Sequence, residues 1–234
     1  MSYGLLIRCG LWPMYSGIPT AKVEDWLDKP SDDGLASYLV QHVDAGDLSR
    51  DVVLNTIRVI LQARFQTASR LLASGMLAQL RIPAALRQPV DTDIAVNELV
   101  RFAGPVHAES RACVTDTLLG GRTICRGEIV TCLLGAANRD PAVFASPNSM
   151  SLGRTPNRHL AFGRGPHACL GAPFAVQIAR AAFAAITQRY LEAELISEPR
   201  PRPNVTERGL YELVVSLNAG VREPAAVPLR ALTK

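Results

Sequence analysis

The run Phe162-Gly163-Arg164-Gly165-Pro166-His167-Ala168-Cys169-Leu170-Gly171 constrains this chain more than any other stretch. Its glycines give backbone freedom and let the chain approach a flat ligand closely. An Ala-rich run with helical spacing follows, so Cys169 stands just before a helix begins. Amide N–H groups and the positive end of the helix dipole favour a thiolate there. Such a loop presents one sulfur to a metal while keeping water away. A lone cysteine is more often a small buried hydrophobe. The whole pattern, rather than the cysteine alone, argues for ligation.

Around that loop the chain reads as mainly α with small β-sheets. Residues 1–30 carry little pattern apart from a short helix over Ala21–Leu27. Leu35, Tyr38, Leu39 and Val43 recur at helical spacing between Ser31 and Ala45, and Gly46 closes that helix. Ser49 reads as the N-cap of a long helix with apolar positions from Val52 to Leu80. Pro83 bars its continuation. A further helix spans Val90–Phe102, and residues 104–135 read as short strands with a hairpin turn at Gly120-Gly121. Pro173–Tyr190 reads as a helix with Phe174, Ile178, Phe183 and Ile186 on its apolar side. Ala193–Ser197 and Tyr211–Leu217 read as strands. The expected division is an N-terminal segment, 1–30, a main domain, 31–218, and a loose tail, 219–234.

The Phe162–Gly171 run resembles the haem-binding signature of the cytochrome P-450 family, soluble bacterial type. Phe-Gly is followed by a second Gly after one residue, a basic residue, then Cys and Gly. The resemblance implies that Cys169 is the axial thiolate of haem b, held in a loop built on Phe162, Gly163, Gly165 and Gly171. A thiolate ligand pushes electron density onto iron and favours O–O cleavage. The resemblance also places Arg111 and His167 on the two haem propionates, where carboxylates need cationic donors. Val106, His107 and Ala108 would line the distal pocket, with His107 as a wall residue.

The long helix matches the one that crosses the distal face of the haem in this family. The usual Ala/Gly-Gly-x-Asp/Glu-Thr is here Ala63-Arg64-Phe65-Gln66-Thr67. The resemblance implies catalytic roles for Thr67, Gln66 and Arg64, with Ala63 beside the cofactor. Gln66 cannot carry a proton as a carboxylate does, and Arg64 adds fixed charge and bulk. Glu98 and Arg101 match the family's Glu-x-x-Arg and read as a buried structural pair. The family's third partner, an arginine, is missing from Pro147-Asn148-Ser149-Met150, and Arg154 is the candidate replacement. Asn138, Arg139, Asp140 and His159 read as structural loop residues.

The resemblance runs from about residue 30 to 218 and matches only the C-terminal half of a typical member, as in a truncated protein. Loss of the other half is expected to expose an apolar face over Val53–Leu80. A homo-oligomer, or a separate chain completing the pocket, would cover it. The expected activity is that of a haem-thiolate oxidoreductase of the monooxygenase class, acting on a small natural-product-type substrate with a ferredoxin-type electron donor. The altered distal run keeps alternatives open: peroxide-driven or non-oxidative chemistry (rearrangement, dehydration, cyclisation), or a non-catalytic helper of a partner enzyme. A net charge of +4 from scattered basic residues argues against nucleic acid. No stretch is long and apolar enough to span a membrane. Five cysteines without C-x-x-C spacing fit reduced thiols in a cytoplasm, and the apolar start, broken by Gly and Pro, does not read as a signal peptide.

Overall fold

The computed structural model describes residues 3–8, 20–30, 34–83, 87, 90, 92–190 and 192–217. The expected tail lies outside them. The chain divides into two compact units, Gly10–Thr67 and Met1–Cys9 with Ala68–Lys234.

The smaller unit holds α1 (Thr20–Asp28), α2 (Leu35–Asp44) and the first part of α3 (Arg50–Leu80). The Ser49 hydroxyl accepts the Val52 N–H at 3.3 Å, so the expected N-cap of the long helix is in place. Val23 and Leu27 of α1 pack with Val53 and Ile57 of α3 in one core. This covers part of the expected apolar face. Val53 and Ile57 are buried, and the exposed apolar side chains of α3 are Val52, Val59, Ile60 and Phe65. The reason is angular: Val53 and Ile57 are four residues apart and share the stripe that α1 covers.

The larger unit is built where α3 meets α4 (Asp93–Ala103) and α6 (Ala172–Arg189). Leu71, Met76, Val96, Leu99, Ala179 and Phe183 form the centre of this core. Gly75 marks the closest approach: a Cβ there would lie 2.6 Å from Phe183 Cζ and 2.8 Å from Leu99 Cδ2. α4 starts three residues later than the apolar pattern suggests. Thr92 is its N-cap and accepts the Ala95 N–H at 3.2 Å, which fixes the first turn. Phe174 is exposed rather than on the buried side of α6. The inward stripe runs through Ala179, Phe183 and Thr187 at four-residue spacing, and Phe174 falls off it.

Three small sheets complete this unit. β1 (Tyr3–Arg8), from the segment without sequence pattern, pairs antiparallel with β7 (Glu212–Leu217), and β6 (Glu194–Leu195) pairs with the other edge of β7. Leu213 and Val215 point from β7 into the core. β2 (Glu109–Ala112) pairs with β5 (Ile129–Cys132), and β3 (Thr117–Leu119) with β4 (Arg122–Ile124). Gly120 and Gly121 turn the latter hairpin with φ of +56° and +80°, as a two-residue primed turn requires. A single helical turn, α5 (Leu134–Ala137), replaces the end of the expected strand region. No helix among the described residues is long and apolar enough to cross a membrane.

Candidate functional site

The cysteine loop is shaped by its own backbone. Gly163 and Gly165 have φ of +65° and +77°, which a residue with a Cβ adopts only at a cost. Gly165–His167 forms one 3-10 turn, closed by the Ala168 N–H on Gly165 O at 2.9 Å. The Cys169 N–H then donates to Phe162 O at 2.8 Å, tying the two ends of the loop together. Ala172 follows as the first residue of α6, with Pro173 in its first turn, where a missing N–H costs nothing. Cys169 is therefore an exposed free thiol at the entry of an 18-residue helix. A side chain at Gly171 would begin 3.9 Å from its sulfur, so glycine keeps that approach open.

The ring of Phe162 is half-buried beneath the loop, edge-on to His159 at 5.8 Å. His159 Nδ1 accepts the Ala161 N–H at 3.3 Å, so the proton sits on Nε2, facing Asn97 Oδ1 at 3.2 Å. Burial, then the charges of Arg101 and Arg164, pushes its pKa down, against the opposing pull of Glu98. An open groove of about 460 Å³ runs beside Phe162 between α4 and α6, lined also by Asp93, Asn97, Pro173 and Arg180; Cys169 is not part of it.

A buried polar network surrounds Glu98. Glu98 and Arg101 are fully buried and joined by two hydrogen bonds, Nε to Oε2 at 2.7 Å and Nη2 to Oε1 at 2.8 Å. Arg101 spends its remaining donors on the backbone: Asn138 O at 2.7 Å, Pro147 O at 2.9 Å and Ser149 O at 3.2 Å. Glu98 also accepts the Ser151 N–H at 2.9 Å and the Asn157 side-chain amide at 3.1 Å. Arg154 fills the place of the missing arginine, with Nε 3.0 and 3.1 Å from the two Glu98 oxygens. Burial by itself would raise the Glu98 pKa. Hydrogen bonds from Arg101, Ser151 and Arg154, and the Arg101 charge, outweigh it and hold the carboxyl below the usual carboxylate range. Phe144 packs against both guanidinium groups, 5.1 Å from that of Arg101 and 5.9 Å from that of Arg154.

Asn138, Arg139 and Asp140 are structural as expected. The Asn138 side chain accepts the Leu160 N–H at 2.6 Å, Arg139 donates to Phe102 O at 2.8 Å, and Asp140 caps the Ala142 N–H at 2.8 Å. The His107 ring lies against α5, where a Cβ at Gly135 would fall 2.9 Å from its Cγ.

The cationic candidates are placed separately. His167 is exposed at the end of the 3-10 turn. Arg111 lies in the middle of β2, half-exposed, with Nη1 on its own strand at Ser110 O, 2.8 Å, and near Glu109 at 3.5 Å. Among the described residues no hydrogen bond or ion pair joins Arg111, His167 and Cys169. Ala63 and Arg64 are exposed on α3 and Gln66 and Thr67 half-buried. The Thr67 hydroxyl donates to Ala63 O at 2.5 Å, one turn earlier. Its lone pairs are left to accept. These four residues belong to the Gly10–Thr67 unit.

The donor set suits a thiolate-ligated haem. The accessible Cys169 sulfur stands on a loop turned by glycines, and the exposed Arg111 and His167 side chains can meet carboxylates. Sequence reasoning missed Ser151 and Asn157 as Glu98 donors, and no local signal marks them.

Comparison with known proteins agrees. The cytochrome P450 family model matches residues 92–214, more than half of the chain. The chain belongs to the cytochrome P450 family. It is 33% identical over 227 residues to cytochrome P450 CYP107DY1 of Priestia megaterium, covering 90% of this chain and 55% of that protein. It is 32% identical over 201 residues to the 20-oxo-5-O-mycaminosyltylactone 23-monooxygenase of Streptomyces fradiae, covering 81% and 46%. The solved structure of the bacillaene polyketide synthase cytochrome P450 PksS of Bacillus subtilis superposes with a TM-score of 0.74 at 35% identity, over 85% of this chain and 53% of that one. The chain thus spans about half the length of the relatives it matches.

Proposed function

We propose that this chain carries the cysteine-ligand half of a haem-thiolate oxidoreductase of the monooxygenase class, acting on a small natural-product-type substrate. The observation that carries the proposal is Cys169: an exposed thiol in a loop closed on Phe162 O and turned by two glycines at positive φ. When bound, the haem supplies redox and oxygen chemistry, and a thiolate ligand increases electron density at its iron. In this reading Cys169 would supply the thiolate that holds the iron. Gly163, Gly165 and Gly171 keep side chains off the haem, and Phe162 supports the loop from below. His167 and Arg111 hold the propionates, and Arg111 must swing away from Ser110 O to do so.

On α3, the Thr67 hydroxyl, which donates to Ala63 O and keeps lone pairs to accept, would meet a ligand bound to that iron, with Ala63, Arg64 and Gln66 as its sequence neighbours. Gln66 standing in place of an acid favours one second reading, a reaction that does not rely on a carboxylate proton relay. Peroxide-driven or non-oxidative chemistry meets that description, with Arg64 anchoring a substrate carboxylate. One relative is named for polyketide biosynthesis and another as a 20-oxo-5-O-mycaminosyltylactone 23-monooxygenase, which supports the substrate class. A ferredoxin-type electron donor, a cytoplasmic location, and a second copy or separate chain that completes the pocket belong to the same proposal.

The test is the absorption spectrum of the reduced carbon monoxide complex after haem reconstitution. A red-shifted Soret band that is lost in Cys169→Ser supports thiolate ligation. No haem band, or an unchanged band in Cys169→Ser, refutes it. Peroxide turnover that survives in Arg64→Ala refutes the anchoring role in the second reading.

A further inference from the structure

The segment that enters the cysteine loop is tied down group by group. The Leu160 N–H donates to Asn138 Oδ1 at 2.6 Å, the Ala161 N–H to His159 Nδ1 at 3.3 Å, and the Gly163 N–H to Leu160 O at 2.9 Å. Phe162 O then accepts the Cys169 N–H at 2.8 Å. Of these acceptors, only His159 Nδ1 is one that a proton can abolish near neutral pH. Neutral His159 accepts at Nδ1 and presents its Nε2–H to Asn97 Oδ1 at 3.2 Å. The imidazolium carries a hydrogen on both nitrogens and accepts at neither, so protonation breaks the bond to Ala161.

Asn97 fixes the tautomer. Its amide nitrogen donates to Asp93 O at 2.8 Å within α4, which leaves Oδ1 turned to His159. An amide oxygen accepts an N–H from the ring without adding the negative charge that favours the imidazolium. The charged groups acting on the ring are Arg101 and Glu98 of α4 and Arg164 of the loop. Burial and the two arginines oppose a positive ring, and Glu98, shared between Arg101 and Arg154, does not overcome them. The ring also stands edge-on to Phe162 at 5.8 Å, so its movement reaches the residue whose carbonyl holds Cys169.

We propose that His159 and Asn97 are positioning residues for Cys169. The neutral ring, held by Asn97, keeps residues 160–162 in the form that fixes the Cys169 amide, and a proton on Nδ1 releases it. The consequence for the iron rests on the reading of Cys169 as its ligand, since release loosens the loop that offers the thiolate.

The test is residue-resolved amide hydrogen exchange by NMR on the full chain without added haem, each rate divided by its intrinsic value at that pH. The Ala161 and Cys169 amides are expected to be protected at neutral pH. Both should lose protection by about two- to tenfold, as for one lost hydrogen bond, as pH falls through the His159 midpoint read from its Cε1–H signal. His159→Phe keeps a ring beside Phe162 but has no acceptor. It should show the loss already at neutral pH, with no further step in acid. His159→Asn restores an acceptor without a titrating group and should keep protection through the same range. Asn97→Asp should raise the His159 midpoint by about 1–3 units, as a neighbouring opposite charge does, and move the loss with it. The Ala179 and Phe183 amides of α6 report that each variant keeps its fold. Unchanged Ala161 and Cys169 protection in a folded His159→Phe overturns the proposal, and so does an acid step that persists in His159→Asn. If the amide results hold while the carbon monoxide spectrum does not depend on Cys169, the positioning role stands and the ligand reading alone falls.

Discussion

Arg154 places its Nε between the two oxygens of Glu98, at 3.1 and 3.0 Å, from 56 residues further along the chain. With Arg101 on the other side, one buried carboxylate is shared by two guanidinium groups. Arg154→Ala leaves Arg101 to balance the charge and is expected to cost about 1–3 kcal/mol, as for a lost charged hydrogen bond. Glu98→Ala strands both cations and is expected to cost about 3–5 kcal/mol. Urea unfolding of the two variants checks the order; equal losses would contradict it.

Acid should weaken the fold in two steps. His107 and His159 have folded pKa values below their unfolded ones. The unfolded chain therefore takes up protons first, and stability is expected to fall as pH drops below about 6.5. Glu98 has a folded pKa below its unfolded one, so its contribution is present above about pH 4.3 and is lost as pH falls further through the folded value. Thermal melts from neutral to acid pH check both steps. His159→Gln should flatten the upper one.

Gly75→Ala should destabilise the chain although alanine is the better helix former. The added methyl meets Phe183 and Leu99 at less than van der Waals distance. Overpacking of about 1–3 kcal/mol exceeds the gain in helix propensity of about 1 kcal/mol. A stability increase in denaturant melts would contradict the packing of α3 on α4 and α6.

Gly165→Ala should strain the 3-10 turn, because φ is +77° there. The expected loss is about 1–2 kcal/mol. Gly153→Ala, where nothing lies within 4 Å and no positive φ is required, serves as the control. Equal melting of the two variants would count against the turn geometry.

The form of the cysteine loop was legible in the sequence because its pattern is local. Glycine spacing, one cysteine and the helix that follows all fall within one short run. The Ser49 cap and the Pro83 stop of α3 were legible for the same reason. The rest of the Glu98 network was not. Three of the groups that hold Arg101 are backbone carbonyls, which no residue type announces. β1 escaped because its six residues gain their conformation from β7, more than two hundred positions away. That α1 covers Val53 and Ile57 was not legible either, because the helical period alone does not say which stripe finds a partner.

The Glu98 network also sets a schedule for synthesis. Its last ligand, Asn157, is 59 residues downstream. At ribosomal rates of roughly 5–20 residues per second, Glu98 waits about 3–12 s for that partner to exist. Until Asn138 is made, α4 carries a carboxylate and a guanidinium that only water and each other can satisfy, and the partners through Arg154 then arrive one after another. The helix core of the larger unit therefore cannot close around them cotranslationally until the segment through Asn157 has left the ribosome, and a pause before that point would present the apolar side of α4 to chaperones.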